Sequence, residues 1–318
     1  MRAFITGGAG FIGSNLADRL AVESADSVTV YDNFSTGFGE FLADLESKKN
    51  VQIVRGDLLD FDMLKESMKG HDIVFHLAAN ADVRFGLEHP RKDLEQNTIA
   101  TFNVLESMRT NGIKKIIFSS TGSVYGEAQK IPTPEDCPFP VQTSLYGASK
   151  LACEGLISSY CEGYGFTGYI FRFVSILGER YTHGHVFDFY RSLMKNPEEL
   201  YILGDGKQRK SYLYIQDCIN AILSVIKNAE EKVNIYNLGT DEYCQVNQSV
   251  GWICEYLGLN PKLTYSGGER GWVGDNPFIF LDCSKVKGTG WNAKYSIKEA
   301  VIKTVQYIEK NTWIYEKR

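Results

Sequence analysis

The sequence predicts an α/β protein: a Rossmann-type doubly wound parallel sheet with a smaller, interleaved α/β domain. Three observations carry this. Short apolar runs alternate with helical patterns through the first half of the chain. The runs are continuous (Ile116-Ile117-Phe118, Ile73-Val74-Phe75), as in strands covered on both faces. The first run also flows directly into glycines, Gly7-Gly8-Ala9-Gly10-Phe11-Ile12-Gly13.

In chain order, Arg2 to Thr6 is the first strand, and a helix follows the glycines to about Leu20. Ser27 to Tyr31, Val51 to Arg55 and Ile73 to Leu77 are the next three strands. A helix covers about Leu94 to Asn111, closed by Gly112, and leads to a strand at Lys115 to Ser119. A long helix, Tyr146 to about Tyr164, precedes a strand at Thr167 to Phe173. Such alternation gives right-handed βαβ units. After about residue 172 glycine- and tyrosine-rich loops take over, and only a helix at Asp217 to Lys227 and a strand at Asn234 to Leu238 stand out. The expected division is a first domain over 1–172, with contributions from about 211–238, and a second mainly over 173–318. No linker or repeat separates them, which predicts close packing around a cleft.

Composition narrows the function classes. Lys plus Arg is 34 and Asp plus Glu 39 in 318 residues, a net charge of −5. A mildly acidic chain lacks the basic surface of a general nucleic-acid binder, although it can hold an anion in a locally basic pocket. No run of 18 apolar residues spans a membrane, and the N-terminus lacks a signal peptide's pattern. The seven cysteines form no CxxC pair and no zinc spacing, so a reducing, cytoplasmic setting and no metal are expected.

Gly7, Gly10 and Gly13 follow a strand and open a helix. That context lets a backbone turn tightly and brings a pyrophosphate to the helix N-terminus. Asp32 ends the second strand, 19 residues beyond Gly13. An acid there accepts hydrogen bonds from ribose hydroxyls and repels a 2′-phosphate, which predicts NAD over NADP; the other reading is a loop cap. Asp57, after the third strand, either reaches the adenine amino group or caps a helix.

Tyr146 and Lys150 stand at i and i+4 of the long helix and share a face. A tyrosine of ordinary pKa is a poor base at neutral pH; a neighbouring ammonium favours the phenolate. Thr121 follows the fifth strand, 25 residues before Tyr146, where a hydroxyl can relay a proton.

With these motifs the chain resembles the extended short-chain dehydrogenase/reductases, in their nucleotide-sugar epimerase group and close to the UDP-glucose 4-epimerase family. The matching segments run from Thr6-Gly-Gly-Ala-Gly-Phe-Ile-Gly13 through Asp32-Asn-Phe-Ser-Thr-Gly37, His76-Leu-Ala-Ala79, Asn97 and Tyr146-x-x-x-Lys150. They continue through Phe171-Arg-Phe173 and Gly204-Asp-Gly206 to Arg270 and Asp275. The resemblance implies a catalytic triad of Thr121, Tyr146 and Lys150 and a tightly held NAD. Its cofactor residues fall on Gly7, Gly10, Phe11, Ile12 and Gly13. Others fall on Asp32, Asn33, Ser35, Thr36 and Gly37, on Asp57 and Leu58, and on Leu77, Ala78 and Ala79. Asn97, Ser119, Tyr146 and Lys150 complete the set.

The smaller domain is then the substrate domain, for a nucleotide-diphosphate sugar. Substrate positions fall on Arg84, Thr121, Ser175, Val186 and Phe187, and on Leu203, Lys210, Arg270 and Asp275. The implied reaction is transient oxidation of the sugar at C4 to a 4-keto sugar, with hydride returned to the opposite face. A nucleotide-sugar 4-dehydrogenase and a non-catalytic NAD-binding sensor are the competing readings. The sensor is disfavoured because both Tyr146 and Lys150 are present. Sugar 4,6-dehydratases carry Asp-Glu after the threonine; here Gly122 and Ser123 stand there. Three positions depart from the family pattern. Ser175 replaces an asparagine, Lys210 a diphosphate-binding arginine, and Leu203 an aromatic that stacks on the base. Arg209, next to Lys210, points differently on an extended segment. The helices Asn97 to Asn111 and Tyr146 to Tyr164 resemble the pair that forms a four-helix dimer interface in this family, which implies a homodimer; Leu151, Leu156 and the aromatic-rich end fit a monomer's buried face equally well.

Overall fold

A computed structural model describes residues 1–23, 25–80, 88–139, 141–271, 276 and 278–317. The strands are β1 (Arg2–Thr6), β2 (Ser27–Asp32), β3 (Val51–Arg55), β4 (Ile73–His76), β5 (Lys115–Thr121), β6 (Thr167–Phe173) and β7 (Ser175–Leu177). They continue as β8 (Glu199–Ile202), β9 (Arg209–Lys210), β10 (Tyr212–Tyr214), β11 (Val233–Leu238), β12 (Cys244–Gln245), β13 (Lys262–Tyr265) and β14 (Phe278–Ile279).

Seven of these form a parallel sheet in the order β11-β6-β5-β4-β1-β2-β3. The order reverses between β1 and β4, so their carboxyl ends flank the crevice where open α/β sheets take ligands. The expected doubly wound sheet is present, with β2 and β5 one and two residues longer than expected. Its central strands are buried on both faces: β4 is buried throughout, as are Ala3 to Thr6 of β1. The core beneath joins Phe4, Val74, Ile116, Phe118 and Ile170 of the sheet to Val104, Leu105, Met108 and Ile157 of the helices.

The helix expected over 94–111 is three abutting pieces: an α-turn Pro90–Asp93, a π-helix Leu94–Ile99 and an α-helix Ala100–Thr110. The long helix runs Leu145–Tyr164. Ser144 caps it by accepting the Gly147 amide at 3.0 Å, and Gly165 ends it at φ +65°.

Contacts divide the chain into two compact units. The first is Met1–Tyr125, Ser144–Arg172 and Val225–Tyr236; the second is Gly126–Thr143, Phe173–Ser224 and Asn237–Arg318. The expected division needs two corrections. Residues 126–143 join the second unit, because the Thr133 amide donates to Phe280 O at 2.9 Å and Thr133 O accepts from Asn237 Nδ2 at 2.9 Å. Residues 211–224 also belong there, because β10 pairs with β7. The second unit carries further small sheets, β12-β9-β14 and β13-β8, and helices His185–Lys195, Val246–Leu257 and Ile297–Lys310.

Candidate active site

In the first unit the glycine turn is built by steric necessity. Gly7 has φ +69°, and a Cβ there would lie 2.6 Å from the Ala78 amide nitrogen. A Cβ on Gly13 would strike Gly7 O, and one on Gly37 would lie 2.8 Å from Ala9 Cβ. Gly10 N donates to Gly7 O at 3.1 Å, turning the chain into the helix Phe11–Glu23. That helix has no acidic residue in its first turn, so its amino end stays electropositive. A cradle closed to side chains and open to an anion fits a dinucleotide's pyrophosphate.

Asp32 is buried at the end of β2; Oδ2 accepts the Ala9 amide at 2.9 Å and Oδ1 the Phe34 amide at 2.8 Å. Burial raises its pKa, and the two amides oppose the rise. The carboxylate therefore caps its own loop, which is the second of the two sequence readings. Asn33 Oδ1 accepts the Ser35 amide at 2.9 Å, and its Nδ2 donates to Asp57 Oδ2 at 3.0 Å. Asp57 Oδ1 accepts the Leu59 amide at 2.9 Å in the turn before the helix Phe61–Ser67, but the cap of that helix is Asp60, not Asp57; the Leu58 side chain is buried in the core. Leu77 N donates to Thr6 O at 3.2 Å, and Ala78 N lies 3.4 Å from Thr6 Oγ1, so 77–79 leave β4 beside the glycine turn.

The π-helix gives Asn97 its position. Its side chain accepts the Asn80 amide at 2.9 Å and donates to Ser149 Oγ at 2.8 Å, and the Cys153 thiol donates to its carbonyl at 3.4 Å. Asp93, buried on the adjoining turn, accepts from Asn80 Nδ2 at 2.9 Å.

Thr121, Tyr146 and Lys150 come together in this unit. Thr121 hydrogen-bonds the Tyr146 hydroxyl and accepts the Ser123 amide at 3.1 Å. Lys150 is 1% exposed; its Nζ donates to Ser119 O at 2.8 Å and lies 4.6 Å from the Phe118 ring centroid. Burial pushes Lys150 down to about 8, against the pull of Cys153, Glu154 and Asp93.

Tyr146 departs from expectation. Lys150 was expected to lower its pKa, but burial of the hydroxyl raises it, and Asp93 adds to the rise. Only the Thr121 hydrogen bond opposes this, because the ammonium is directed to Ser119. Beneath the site, His76 bonds Thr6 Oγ1 at 2.8 Å and Thr101 Oγ1 at 2.9 Å, and burial holds it neutral with a pKa near 3.

In the second unit, Ser175 opens β7 and is exposed, whereas the Val186 and Phe187 side chains are buried, leaving only their backbone for a ligand. Leu203 is exposed and its carbonyl accepts Gln208 Nε2 at 2.9 Å. Lys210 Nζ donates to Asn276 O at 2.5 Å. The neighbouring Arg209 turns away as expected, its guanidinium 3.8 Å from the Phe278 ring centroid. Arg270 is ion-paired with Glu127. His185 bonds Ser249 Oγ at 2.8 Å and Tyr212 OH at 3.1 Å. Among the described residues no cluster of three or more His, Cys, Asp or Glu has metal-binding geometry. Arg84 and Asp275 lie outside the described residues.

Sequence reasoning missed the buried ion pair of Arg172 with Glu154, 2.7 Å apart, two turns along the helix from Tyr146. A charged residue one further helical turn past Lys150 was the available signal.

Residues 3–239 match the NAD dependent epimerase/dehydratase family. A UDP-N-acetyl-alpha-D-glucosaminuronate decarboxylase of Bacillus cytotoxicus is 34% identical over 278 residues, covering 85% of this chain and 84% of its own. The structure of a UDP-glucose 4-epimerase with UDP-glucose, from Thermotoga maritima, is 33% identical with a TM-score of 0.87; 98% of this chain and all of that one are covered. A UDP-glucuronic acid 4-epimerase of Bacillus cereus, in complex with UDP-glucuronic acid and NAD, is 26% identical with a TM-score of 0.90, over 98% of this chain and all of that one.

Proposed function

The chain belongs to the NAD dependent epimerase/dehydratase family, and from that premise we propose that it is a nucleotide-sugar 4-epimerase, working as UDP-glucose 4-epimerases do. It is an NAD-dependent enzyme. The observation that carries the epimerase reading is the Thr121–Tyr146 hydrogen bond beside Lys150, followed by Gly122 and Ser123, which offer no acid or base for water loss.

Gly7, Gly10 and Gly13 hold the pyrophosphate and Asp32 the adenosine ribose. When bound, NAD supplies reversible oxidation at the sugar's C4. Tyr146 takes the proton of the 4-hydroxyl and Thr121 holds it in line. Tyr146 has a raised pKa, so it rests protonated and ionises only as a positive charge gathers beside it. Lys150 supplies part of that charge. Lys210 and Arg270 neutralise the diphosphate, each giving up a present partner, Asn276 O and Glu127. Ser175 and Leu203 give a nucleotide pocket with fewer amide and aromatic contacts than the family pattern.

A homodimer is proposed through the helical segments 90–110 and Leu145–Tyr164, supported by exposed Leu94, Ile99 and Phe102 on the first and Leu145 and Tyr164 on the second. All seven cysteines are free, which supports a reducing compartment.

The test is a panel of UDP-, GDP-, CDP- and dTDP-sugars followed by NMR, with NADH read by absorbance. Inversion at C4 without net NADH supports the reading; stoichiometric NADH with a keto sugar replaces it with the 4-dehydrogenase. Tyr146→Phe should lower turnover by about 10²–10⁴-fold, and near-parental turnover removes Tyr146 as the base.

A further inference from the structure

Tyr146, Lys150 and Glu154 stand at i, i+4 and i+8 of one helix, on a common face. Three successive residues at the end of β5 meet those three side chains. Ser119 offers its carbonyl to Lys150, Ser120 donates its hydroxyl to Glu154 Oε1, and Thr121 bonds Tyr146. Glu154 is held from the other side by Arg172 of β6. Nη2 donates to Oε2 at 2.7 Å, and Nε reaches Oε1 and Oε2 at 3.1 and 3.2 Å. Arg172 Nη1 donates to the Tyr125 hydroxyl at 2.6 Å, and its guanidinium lies 4.8 Å from that ring centroid. Tyr125 closes the turn Gly122–Tyr125 that follows Thr121.

The two charged side chains are 2% and 5% exposed. A buried ion pair is a poor source of net stability, because removing both charges from water offsets most of their attraction. What this pair does have is connectivity. It grips the residue before Thr121, the turn after it, and the helix that carries Tyr146 and Lys150. We propose that Glu154 is a positioning residue of this site: it locks Thr121 against Tyr146 through Ser120 and Arg172, and is the fixed counter-charge to Lys150 one turn away. The claim about Thr121 and Tyr146 rests on the epimerase reading; the claim about Lys150 does not.

The groups facing Lys150 can be named element by element. His76 comes from β4, Asp93 from the turn Pro90–Asp93, the Phe118 ring and Ser119 carbonyl from β5, and Cys153 and Glu154 from its own helix. Cys153 is a neutral thiol, its pKa raised by burial. His76 is neutral. Asp93 and Glu154 are the carboxylates in the set, and Asp93 is engaged by Asn80 and Asn97.

The experiment uses the full chain labelled with ¹³C-lysine, with the Lys150 signal assigned by its loss in Lys150→Arg. In Glu154→Gln the Lys150 titration midpoint should fall by about one pH unit. Turnover should drop with the sugar KM near parental, and the pH–rate profile should move with the lysine. Glu154→Asp, which keeps the charge, should restore the parental midpoint. Where Glu154→Gln does not fold because Arg172 is left unpaired, the double variant Glu154→Leu/Arg172→Met removes both charges and breaks the link to Thr121, so its turnover should drop with the sugar KM near parental. An unmoved Lys150 midpoint in folded Glu154→Gln, a midpoint that Glu154→Asp does not restore, or parental turnover in the double variant overturns the proposal. A midpoint that falls in a parent protein turning over no nucleotide sugar leaves the lysine claim standing and sinks the epimerase reading instead.

Discussion

The carboxylate of Asp32 accepts the Ala9 amide, so the side chain that ends β2 fastens the loop that leaves β1. With its other oxygen on Phe34, one residue shapes both loops of the cofactor crevice. Asp32→Ala should therefore do two things at once. Loss of two hydrogen bonds to a charged group should cost about 3–6 kcal/mol of folding stability, read by urea unfolding. The preference for NAD over NADP should narrow by about tenfold or more, read by equilibrium binding of both cofactors. An unchanged preference would remove Asp32 as the ribose ligand while leaving its capping role.

Gly7 sits at φ +69° with its missing Cβ aimed at the Ala78 backbone. Gly7→Ala must strain the backbone and push apart β1 and the residues after β4. About 1–3 kcal/mol of stability should be lost, together with NAD affinity. Calorimetric titration with NAD checks the second effect; parental affinity in Gly7→Ala would show that the turn does not touch the cofactor.

Lys150 is lowered to about 8 from an ordinary 10.5. Between those values the unfolded chain holds one proton more than the folded chain. From this group alone, stability rises with pH across that window, by up to about 1.4 kcal/mol per pH unit. Below pH 8 both states hold the proton and the cost of burying the charge is present in full. Lys150→Met escapes that cost, so its stability relative to the parent should be constant below pH 8 and should decline towards 10.5. Paired urea unfolding curves across this range measure the difference; a flat difference would mean that the folded chain keeps Lys150 protonated up to the same pH as the unfolded chain.

Lys210→Ala and Arg270→Ala should raise the KM for a nucleotide-diphosphate sugar by about tenfold each, with kcat changed far less. The contacts serve ground and transition states alike. Lys210→Arg, which supplies the planar fork, should keep or lower KM. A large fall in kcat with constant KM would place either residue in the chemistry instead.

How much of this was readable from the chain alone depends on the distance over which each feature is specified. The glycine turn, Asp32 and the Tyr146–Lys150 pair are local: spacing within one βα unit or one helix fixes them. The helix Ile297–Lys310 was equally local and was missed, although Ser296 and Glu299 form a capping box that announces its start. The π-helix Leu94–Ile99 was beyond reach. Its Asn97 is held by Asn80 and Ser149, from another strand's end and another helix. The allegiance of 126–143 was beyond reach for the same reason, since Thr133 bonds residues more than 100 positions away. Tyr146 shows a third case: the pair was legible, but its protonation follows from burial, which spacing does not report.

The chain passes between its two compact units five times, from residue 125 to residue 237. Neither unit is a continuous stretch that could be excised, fused to another protein or traded by recombination at one junction. The order of synthesis is constrained too. β11, the outermost strand beside β6, emerges more than 60 residues after its neighbour, and the first unit lacks that edge until then. A nascent chain stalled near residue 200 would present an open strand edge, the kind of template that invites pairing with another chain. The interleaving of the two units therefore makes this protein's vulnerability greatest on the ribosome, before the chain is complete.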